Sequence, residues 1–474
     1  MGHDDLVDDL RAVIRELRDV VQQLRESVAV KDARIEELES RLRRDSGNSS
    51  KPPSSDPPWS KRRRRRRPPS DKKQGAQPGH AGTTRELADE RDVDEIVDHE
   101  PDACTACGCE DLLASGAAPR RHQVTEIPPV APTITEHRQH ARVCARCGET
   151  VLAVLPPAVS RSAFGPRLHA LVATLVADYR VSRSEVARFL RESFGVRLSV
   201  GSVSNIEARV SRGLAGAFEE ALAALRKSGL AHIDETPWKK QGILHWVWTA
   251  VGDDVTVHRI DRRRNREALE RLIGADFEGL FVTDRLASYD GIPPERRQLC
   301  WAHLERDFRA FVQGPSAGRS FGAKGLGIAQ TLMREARQLN DDGDRGRFEE
   351  AIRLQLGELI DLLVDGACAE IPKVSGFAAH LLARHDALWL FADRAGVPLT
   401  NNRAERAVRK MVLWRKGSFG SQSERGLRFA ERMATVIATK RRRAEGVLDY
   451  IVEVARAALD GTPAPKLIPQ PVQG

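Results

Sequence analysis

The chain has 474 residues, which is more than one hydrophobic core of ordinary size requires, so several domains joined by linkers are expected. It carries 75 lysines and arginines against 67 aspartates and glutamates, and this net charge of +8 favours a polyanionic partner, for which nucleic acid is the first candidate. No stretch approaches the roughly 18 to 20 consecutive apolar residues of a membrane span, and the N-terminus lacks the apolar segment of a secretory signal, so the sequence predicts a cytoplasmic protein.

Residues 1–45 carry an apolar heptad repeat. Its two seam positions are filled by Val7, Ile14, Val21, Val28, Ile35 and Leu42, and by Leu10, Leu17, Leu24 and Leu38. Only Lys31 interrupts the pattern. β-Branched residues at the first position with leucine at the second favour a parallel two-stranded coiled coil. The pattern therefore predicts a homodimer or a higher oligomer; the alternative is a single amphipathic helix that folds back on the body of the protein.

Residues 46–84 are rich in serine, proline, glycine and charge, which predicts a disordered linker. Within this segment Lys61 is followed by six consecutive arginines, Arg62, Arg63, Arg64, Arg65, Arg66 and Arg67. Such a run cannot fold, because like charges repel and no apolar side chain is available for burial. We expect the arginines to contact DNA phosphates and to release counterions, independently of base sequence. A solvated spacer is the alternative.

Residues 85–155 contain two Cys-x-x-Cys pairs, Cys104 with Cys107 and Cys144 with Cys147, and a glycine follows each pair. The seven cysteines of the chain are too few for a disulfide scaffold. Two matched pairs supply four thiolates for one tetrahedral Zn²⁺, and the glycines permit the tight turns by which backbone amides approach the sulfurs. With short β-rich runs between the pairs, the segment is predicted to be a zinc ribbon; redox-active dithiols are the alternative.

Residues 160–228 are predicted to be helical. A capping box at Ser182 to Glu185 opens one helix, which Gly195 ends, and the next helix begins near Ser199. A helix, a short turn and a second helix resemble a helix-turn-helix motif. We expect three residues of the second helix, on exposed positions, to contact DNA: Ser202, Asn205 and Arg209. Simple packing of the two helices is the alternative.

Residues 229–420 have an α/β pattern. An apolar strand beginning at Leu230 is predicted to end at Asp234, a meander of two strands at 243–251 and 255–260 follows, and after a helix a further apolar strand ends at Asp284. This is the element order of a ribonuclease-H-like sheet, in which the first and fourth strands are neighbours. Asp234 and Asp284 are thus expected side by side, where oxygen ligands select Mg²⁺ or Mn²⁺. Two such ions about 4 Å apart clamp the attacking and leaving oxygens of a phosphoryl displacement.

Glu405 is the strongest candidate for a third acidic ligand. It lies in the first turns of a helix with an Asn or Thr N-cap, where an anion is favoured. Basic residues that could hold a DNA backbone beside the metal ions surround it: Arg406, Arg409, Lys410, Arg415 and Lys416. A solvated basic helix is the alternative.

Two segments flank this motif. Residues 318–395 have an amphipathic helical pattern and predict a helical insertion in the catalytic domain, and residues 421–474 predict a C-terminal helical tail. At the start of the insertion Cys300 and His303 are interpreted as packing of a first helical turn, with a metal-binding or DNA-contacting pair as the alternative.

The chain resembles the insertion-sequence-sixty-six family of transposases. The resemblance rests on Asp-Glu-Thr-Pro-Trp at 234–238, Val-Thr-Asp at 282–284, Cys-Trp-Ala-His at 300–303 and Asn-Asn-Arg-Ala-Glu-Arg at 401–406, and it extends upstream through Gln-Pro-Gly-His-Ala-Gly at 77–82 and the two cysteine pairs. Arg285 stands where members of the family usually have glycine. The resemblance implies a transposase of the DDE type from a bacterial mobile element, in which Asp234, Asp284 and Glu405 bind the divalent metals.

The sequence thus predicts a multidomain protein, α/β plus α, with a coiled coil, a zinc ribbon, a helix-turn-helix-like domain and a ribonuclease-H-like catalytic domain. Its expected reaction is Mg²⁺-dependent cleavage at insertion-sequence ends, followed by attack of the freed 3′ hydroxyl on target DNA. Two alternatives remain: a DNA-binding protein without catalysis, and a structure-specific nuclease that cuts without joining.

Overall fold

The computed structural model describes residues 3–45, 47–48, 85–156 and 159–468, so the arginine run at 62–67 lies outside the described residues. The chain divides into two compact units, Pro58–Pro132 and a larger unit formed by Met1–Pro57 with Thr133–Gly474. None of the helices in the described ranges combines the length and the apolar character that crossing a bilayer requires.

Within the smaller unit, the described residues 85–132 have largely irregular backbone with one short 3-10 turn at Glu90–Asp92. Polar contacts to the backbone of Ala88 organise this segment. Its N–H donates to Gln123 Oε1 at 2.8 Å, and its carbonyl oxygen accepts hydrogen bonds from Arg121 at 2.7 Å and from Gln123 Nε2 at 3.0 Å. Side-chain hydrogen bonds therefore hold two parts of this unit together where regular secondary structure is lacking.

In the larger unit, helix α1 (His3–Leu42) spans the predicted heptad repeat. From Ile14 to Leu42, the seam side chains of the repeat are exposed, with 44% to 86% of their surface accessible. Near the end of the helix, Glu36 accepts hydrogen bonds from the Ser316 N–H at 2.7 Å and from Arg319 at 3.2 Å. The helix is thus attached through polar groups near its C-terminal end while its apolar seam stays uncovered. Self-association through the seam remains a prediction.

Strands β1 (Ala141–Val143) and β2 (Thr150–Leu152) form an antiparallel hairpin around the second cysteine pair. Four helices follow: α2 (Pro166–Ala177), α3 (Arg183–Phe194), α4 (Val200–Gly213) and α5 (Ala215–Arg226). These helices share one apolar core with the sheet described next.

The helix boundaries around α3 and α4 follow the capping signals in the sequence. The Ser182 Oγ accepts a hydrogen bond from the Glu185 N–H while the Glu185 carboxylate accepts one from the Ser182 N–H, so the predicted capping box is present. Helix α3 ends at Gly195, whose φ of 67° suits glycine, and Ser199 caps α4. Each such cap contributes about 1 kcal/mol. The predicted helix, short turn and second helix are therefore present.

The central sheet has five strands in the order β5-β4-β3-β6-β7. They are β3 (Leu230–Lys240), β4 (Ile243–Val251), β5 (Thr256–Asp261), β6 (Leu280–Thr283) and β7 (Arg297–Leu299), with helix α6 (Arg266–Ile273) between β5 and β6. Strand β4 is antiparallel to both of its neighbours, β3 and β5, whereas β6 runs parallel to β3, and β7 parallel to β6. The predicted order of the first four strands is confirmed, and β3 and β6 are neighbours.

One strand boundary was predicted wrongly. Asp234 lies inside β3 rather than at its end, because antiparallel pairing with β4 continues as far as Lys240. Parallel pairing with β6 stops earlier, at His232. Pro237 lacks an N–H and is tolerated in β3 because no strand pairs there on the side opposite β4.

Helices complete the larger unit. After β7 come α7 (Trp301–Val312), α8 (Arg319–Asp342), α9 (Arg345–Ala367), α10 (Pro372–Leu382) and α11 (Asp386–Asp393), and then α12 (Asn402–Ser418), α13 (Glu424–Arg442) and α14 (Val447–Asp460). Helices α8 to α11 occupy the stretch for which an amphipathic helical pattern predicted an insertion. Together with α7 they enclose a second apolar core, which Val282 and Leu299 of the sheet join.

Helix α13 covers the edge of the sheet at β5. The hydroxyl of Thr435 accepts a hydrogen bond from the His258 N–H at 3.0 Å, and that of Thr439 accepts one from the Thr256 N–H at 3.2 Å. These bonds satisfy backbone groups that an edge strand otherwise leaves unpaired. The segment after residue 421 is thus packed against the sheet at this edge.

Candidate active site

Two of the predicted acids lie where β3 and β6 stop pairing. The last paired residues are His232 and Val282. Asp234 follows on β3, and Asp284 comes directly after Thr283, the last residue of β6. Because β3 and β6 are parallel, both acids lie beyond the same end of this strand pairing, and we call this end the acid edge of the sheet.

The third acid, which lies near the acid edge, comes from a different part of the chain. Glu405 lies in the first turn of α12, and its N–H donates to the Asn401 carbonyl oxygen at 3.1 Å. The segment before α12 is held against the start of α7: the Trp301 N–H donates to the Leu399 carbonyl oxygen at 3.1 Å, and the Asn401 N–H donates to Cys300 Sγ at 3.1 Å. Helix α12 therefore begins next to the end of β7.

The three acids lie close enough for their charges to interact. Burial raises the pKa of Asp234 well above its ordinary value, and the charges of Glu235, Asp284 and Glu405 raise it further. The sheet and α12 thus place the three acids in one region of the structure, and their role as a metal site stays a prediction.

The oxygens of this cluster fit a hard divalent cation. One oxygen of Asp234 accepts the Glu235 N–H at 2.9 Å, and one oxygen of Asp284 accepts the Leu286 N–H at 2.9 Å. Within the described residues, the second oxygen of each of these two carboxylates has no hydrogen-bond or ionic partner. Mutually repelling carboxylates with free oxygens are the donor set that Mg²⁺ and Mn²⁺ prefer.

Cys300 and His303 also contact this cluster. The metal-ligating atoms of Cys300, His303 and Glu405 all lie within 4.8 Å of one another. Among the described residues this is the one group of three or more such side chains, so the oxygens of Asp234, Asp284 and Glu405 are not all within that distance of one another. The Nδ1 of His303 is buried without a hydrogen bond and lies 3.4 Å from Glu405 Oε1. Burial and the neighbouring Arg306 lower the pKa of His303, and burial raises the pKa of the Cys300 thiol to about 12. The pair therefore supports Glu405 as two neutral side chains.

Sequence analysis did not identify Glu235 as a site residue. Its carboxylate is buried and accepts a hydrogen bond from the Tyr289 hydroxyl at 2.6 Å and hydrogen bonds from Arg264, one of them at 3.0 Å. Burial and the charge of Asp284 raise its pKa despite these partners. Adjacency to Asp234 was the only sign of it in the sequence, because both partners come from later segments of the chain.

Arg285 occupies the position at which a glycine was expected from the family resemblance. Its guanidinium binds Asp307 at 2.7 Å and lies 4.7 Å from the centre of the Phe377 ring. The φ angle of Arg285 is not positive. The turn after Asp284 thus needs no glycine, and the arginine side chain is directed to α7 and α10.

The residues predicted to contact DNA fall into two groups, apart from the arginine run outside the described residues. Asn205, Arg406, Arg409, Lys410 and Lys416 are exposed. The other three make contacts within the protein. Ser202 Oγ lies 2.9 Å from Ser199 Oγ, Arg415 donates to the Pro237 carbonyl oxygen, and Arg209 binds Ser162 Oγ at 3.1 Å and His169 Nε2 at 2.9 Å.

The exposed positions predicted for Ser202 and Arg209 are therefore wrong, since both residues are half-buried, whereas Asn205 is exposed. The Arg209 side chain is half-buried because Ser162 and His169 bind it from the segment at the start of α2.

Each cysteine pair lies in a tight turn that a backbone hydrogen bond closes. In the smaller unit, the Cys104 carbonyl oxygen accepts the Gly108 N–H at 2.8 Å; in the larger unit, that of Cys144 accepts the Gly148 N–H at 2.9 Å. The two glycines have φ angles of 74° and 75°. Backbone hydrogen bonds, from Ala106 and Cys107 in one turn and from Arg146 and Cys147 in the other, lower the pKa values of Cys104 and Cys144. Both turns thus favour the thiolate, which is the form that binds metals.

Two family profiles and two uncharacterized proteins match parts of this chain. A family profile described as "Transposase IS66 family" matches residues 161–429, and one described as "Family of unknown function (DUF6444)" matches residues 3–86. The chain is 25% identical over 252 residues to the uncharacterized protein y4qI of Sinorhizobium fredii (strain NBRC 101917 / NGR234), which covers 47% of this chain and 45% of that protein. It is 24% identical over 401 residues to the uncharacterized protein y4hP of the same strain, covering 74% of this chain and 70% of that protein. Because the first match spans more than half of the chain, the chain belongs to the IS66 family of transposases.

Proposed function

We propose that the protein cleaves DNA at insertion-sequence ends and joins the freed ends to target DNA, with Asp234, Asp284 and Glu405 as its metal-binding acids. The observation that supports the proposal is the raised pKa of Asp234, which burial causes first and to which the nearby charges of Asp284 and Glu405 add. Such repulsion is costly unless the cluster has a cationic ligand. A basic protein that belongs to a transposase family has a clear use for that ligand.

The residues of the chain would prepare this reaction by orienting the acids. The N–H groups of Glu235 and Leu286 hold one oxygen of Asp234 and of Asp284, so each carboxylate directs its other oxygen toward a ligand. His303 and Arg306, at 3.4 and 3.5 Å from Glu405 Oε1, restrain the third carboxylate. Two Mg²⁺ or Mn²⁺ ions, when bound, would supply charge stabilisation for an in-line displacement at phosphorus.

The remaining predicted parts support binding rather than chemistry in this proposal. The sheet is interpreted as ribonuclease-H-like, since its first and fourth strands are adjacent. Arg406 and Arg409 are exposed one residue and about one helical turn beyond Glu405, where they can hold a phosphate backbone. The two cysteine turns would bind one structural Zn²⁺, and helices α3 and α4, with the arginine run, would bind the element ends.

The test uses the full-length protein with candidate element ends and Mn²⁺. We expect wild-type protein to give nicked and joined products, and Asp234→Ala, Asp284→Ala and Glu405→Ala each to lower both activities at least about 1000-fold while end binding persists. Asp276→Ala is the matched control, because Asp276 is an exposed acid outside the cluster. Unchanged activity in Asp234→Ala protein would falsify the three-acid site.

Two other outcomes correspond to the alternative functions. A structure-specific nuclease on the same fold would produce nicked DNA without any joined product. A DNA-binding protein without catalysis would retain end binding and give neither product with any divalent cation.

A further inference from the structure

A second surface lies beside the proposed active site, in a cavity of about 500 Å³ where the end of α2 faces α12. Its polar lining includes the cations Arg180, Arg406, Arg409 and Lys410, and its apolar lining is Tyr179 and Leu413. We call these four cations together with Tyr179 the Tyr179 surface. Its volume lies within the range of ordinary ligand pockets.

The charge of this cavity is not neutralised from within. Its one acid, Asp178, is ion-paired with Arg441. In the described residues, none of the four cations of the Tyr179 surface has an ion pair or a side-chain hydrogen bond. Burial and the charges of Arg441 and Arg180 lower the pKa of Lys410. Uncompensated cations at close range favour a ligand with several negative charges, such as a phosphate backbone.

The tyrosine ring is directed outward by the local backbone. Tyr179 is 65% exposed, although aromatic rings are ordinarily largely buried. The turn is fixed on both sides, because the Tyr179 N–H donates to the Thr174 carbonyl oxygen at 3.2 Å and the Val181 N–H donates to that of Leu175 at 3.0 Å. Between them Arg180 has a φ of 61°, a conformation that costs a non-glycine residue free energy. This strained turn holds a flat apolar ring among the cations.

The position of the surface relates it to the three acids. Helix α12 carries Glu405 in its first turn, Arg406 is the next residue, and Arg409 and Lys410 lie one turn farther along. A DNA strand that leaves the acids along this helix therefore meets the cations first and the ring beside them. An aromatic ring can stack only on a base whose face is free, which the interior of a duplex does not offer.

We propose that the Tyr179 surface binds an unpaired nucleotide of the DNA strand next to the cleavage site. The cations bind the flanking phosphates and the base stacks on the Tyr179 ring. The inference rests on the proposed function only in treating DNA as the substrate at the three acids. It adds that the strand is locally unpaired there.

The experiment measures DNA binding by fluorescence anisotropy with full-length protein at one fixed salt concentration and without Mg²⁺. The probes are a fluorescein-labelled strand of twenty thymidines and its blunt duplex with adenosines. We expect Tyr179→Ala to weaken binding of the single strand about 5- to 100-fold, which is the effect of losing one stacked base, and to change duplex binding less than about 2-fold. Tyr179→Phe keeps the ring and should bind both probes like wild type.

Two further variants sharpen the test. Phe419→Ala removes a different aromatic ring that is 78% exposed and lies outside the cavity, so it should leave both affinities unchanged. Lys410→Ala should weaken both probes, and when the titration is repeated over a series of salt concentrations it should reduce the slope of log affinity against log salt concentration by about 1. Circular dichroism checks that each variant is folded.

The proposal is overturned if Tyr179→Ala binds the single strand as tightly as wild type, or loses both probes equally, or if Tyr179→Phe loses as much as Tyr179→Ala. These outcomes do not depend on the chemistry, since binding is measured without Mg²⁺ and requires no cleavage. Loss of cleavage in Asp234→Ala and loss of single-strand preference in Tyr179→Ala are therefore separate results.

Discussion

Asn401 binds the backbone of the strand that carries Asp234: its Nδ2 donates a hydrogen bond to the Ile233 carbonyl oxygen at 2.6 Å. The same side chain is buried, and its Oδ1 lies 3.2 Å from Nδ1 of His232. Asn401 is also the residue immediately before α12, in whose first turn Glu405 lies. One amide therefore fixes the start of the helix with the third acid to the strand with the first acid.

Replacement of this amide should disrupt the spacing of the acids. We expect Asn401→Ala to lower cleavage and joining about 10- to 100-fold and to lower the free energy of unfolding by about 1–3 kcal/mol, because a buried carbonyl group loses its partner. Urea unfolding and product assays with Mn²⁺ measure the two effects. Asn402→Ala, at the exposed next position, is the control and should behave like wild type. Normal activity in Asn401→Ala protein would show that this contact does not position Glu405.

The role of Asn401 also shows what the sequence could and could not predict. An Asn or Thr cap for α12 was expected, and Asn401 is at the cap position, but its side chain makes no capping hydrogen bond. It binds His232 and Ile233 instead, residues far away in the sequence. The local sequence pattern cannot distinguish these two roles, because the side-chain amide of an asparagine can either cap a helix or bind a residue that is distant in sequence.

The sequence could predict that the strands of Asp234 and Asp284 are neighbours, because hydrophobic pattern and element order restrict the sheet to few topologies. It could not predict the length of β3, because the extension of this strand depends on its hairpin with β4. The Tyr289 hydroxyl on Glu235 was equally hidden: the hydrogen bond depends on how the turn after β6 packs.

The repulsion among the acids predicts a gain in stability when one charge is removed. In EDTA we expect Asp234→Asn to raise the free energy of unfolding by about 1–2 kcal/mol, because the neutral amide no longer repels Asp284 and Glu405. Excess Mg²⁺ should stabilise wild type and leave the variant unchanged. Asp276→Asn, an exposed acid, is the control for both measurements.

The pH dependence of this gain has a defined sign. The pKa of Asp234 is raised above its ordinary value of 3.8, so folded wild type without metal loses stability as pH rises from 3.8 through the raised pKa. The difference between variant and wild type should therefore be absent at the lowest pH and grow toward neutrality. A variant that is less stable than wild type in EDTA at neutral pH, with its Mg²⁺ response intact, contradicts the cluster.

His258 predicts the opposite behaviour in acid. Burial lowers its pKa from 6.5 to about 3, so the folded state keeps the ring neutral and loses stability as pH falls through this window. The loss between pH 7 and pH 5 should be about 2 kcal/mol. We expect His258→Gln to remove most of that loss in urea unfolding, whereas His137→Gln, at an exposed position, should not. Equal pH dependence in both variants would mean that His258 does not titrate below its ordinary range.

Metal analysis tests the cysteine turns. We expect about one zinc ion per wild-type chain, and less than about one half in Cys144→Ser or Cys104→Ser protein, because a tetrahedral site of four thiolates loses most of its affinity with one ligand. Cys109→Ser is the control, since Cys109 follows the first turn and its sulfur contacts only the Asp111 carbonyl oxygen. Stripping zinc should also weaken binding of element ends; an unchanged zinc content in all variants excludes the proposed ribbon.

The exposed seam of α1 makes a final prediction about assembly. Leu24 lies on the seam and is 59% exposed, whereas Gln23 is its neighbour off the seam. If two copies pair through this face, each buries its seam leucines, and Leu24→Asp places a charge in the paired face at a cost of several kcal/mol. Light scattering should then show a dimer or higher oligomer for wild type and for Gln23→Asp, and a monomer for Leu24→Asp. If deletion of residues 1–45 leaves the number of subunits per assembly unchanged, a single helix that folds back on its own chain is favoured instead. The polar contacts of Glu36 with Ser316 and Arg319 are consistent with that alternative.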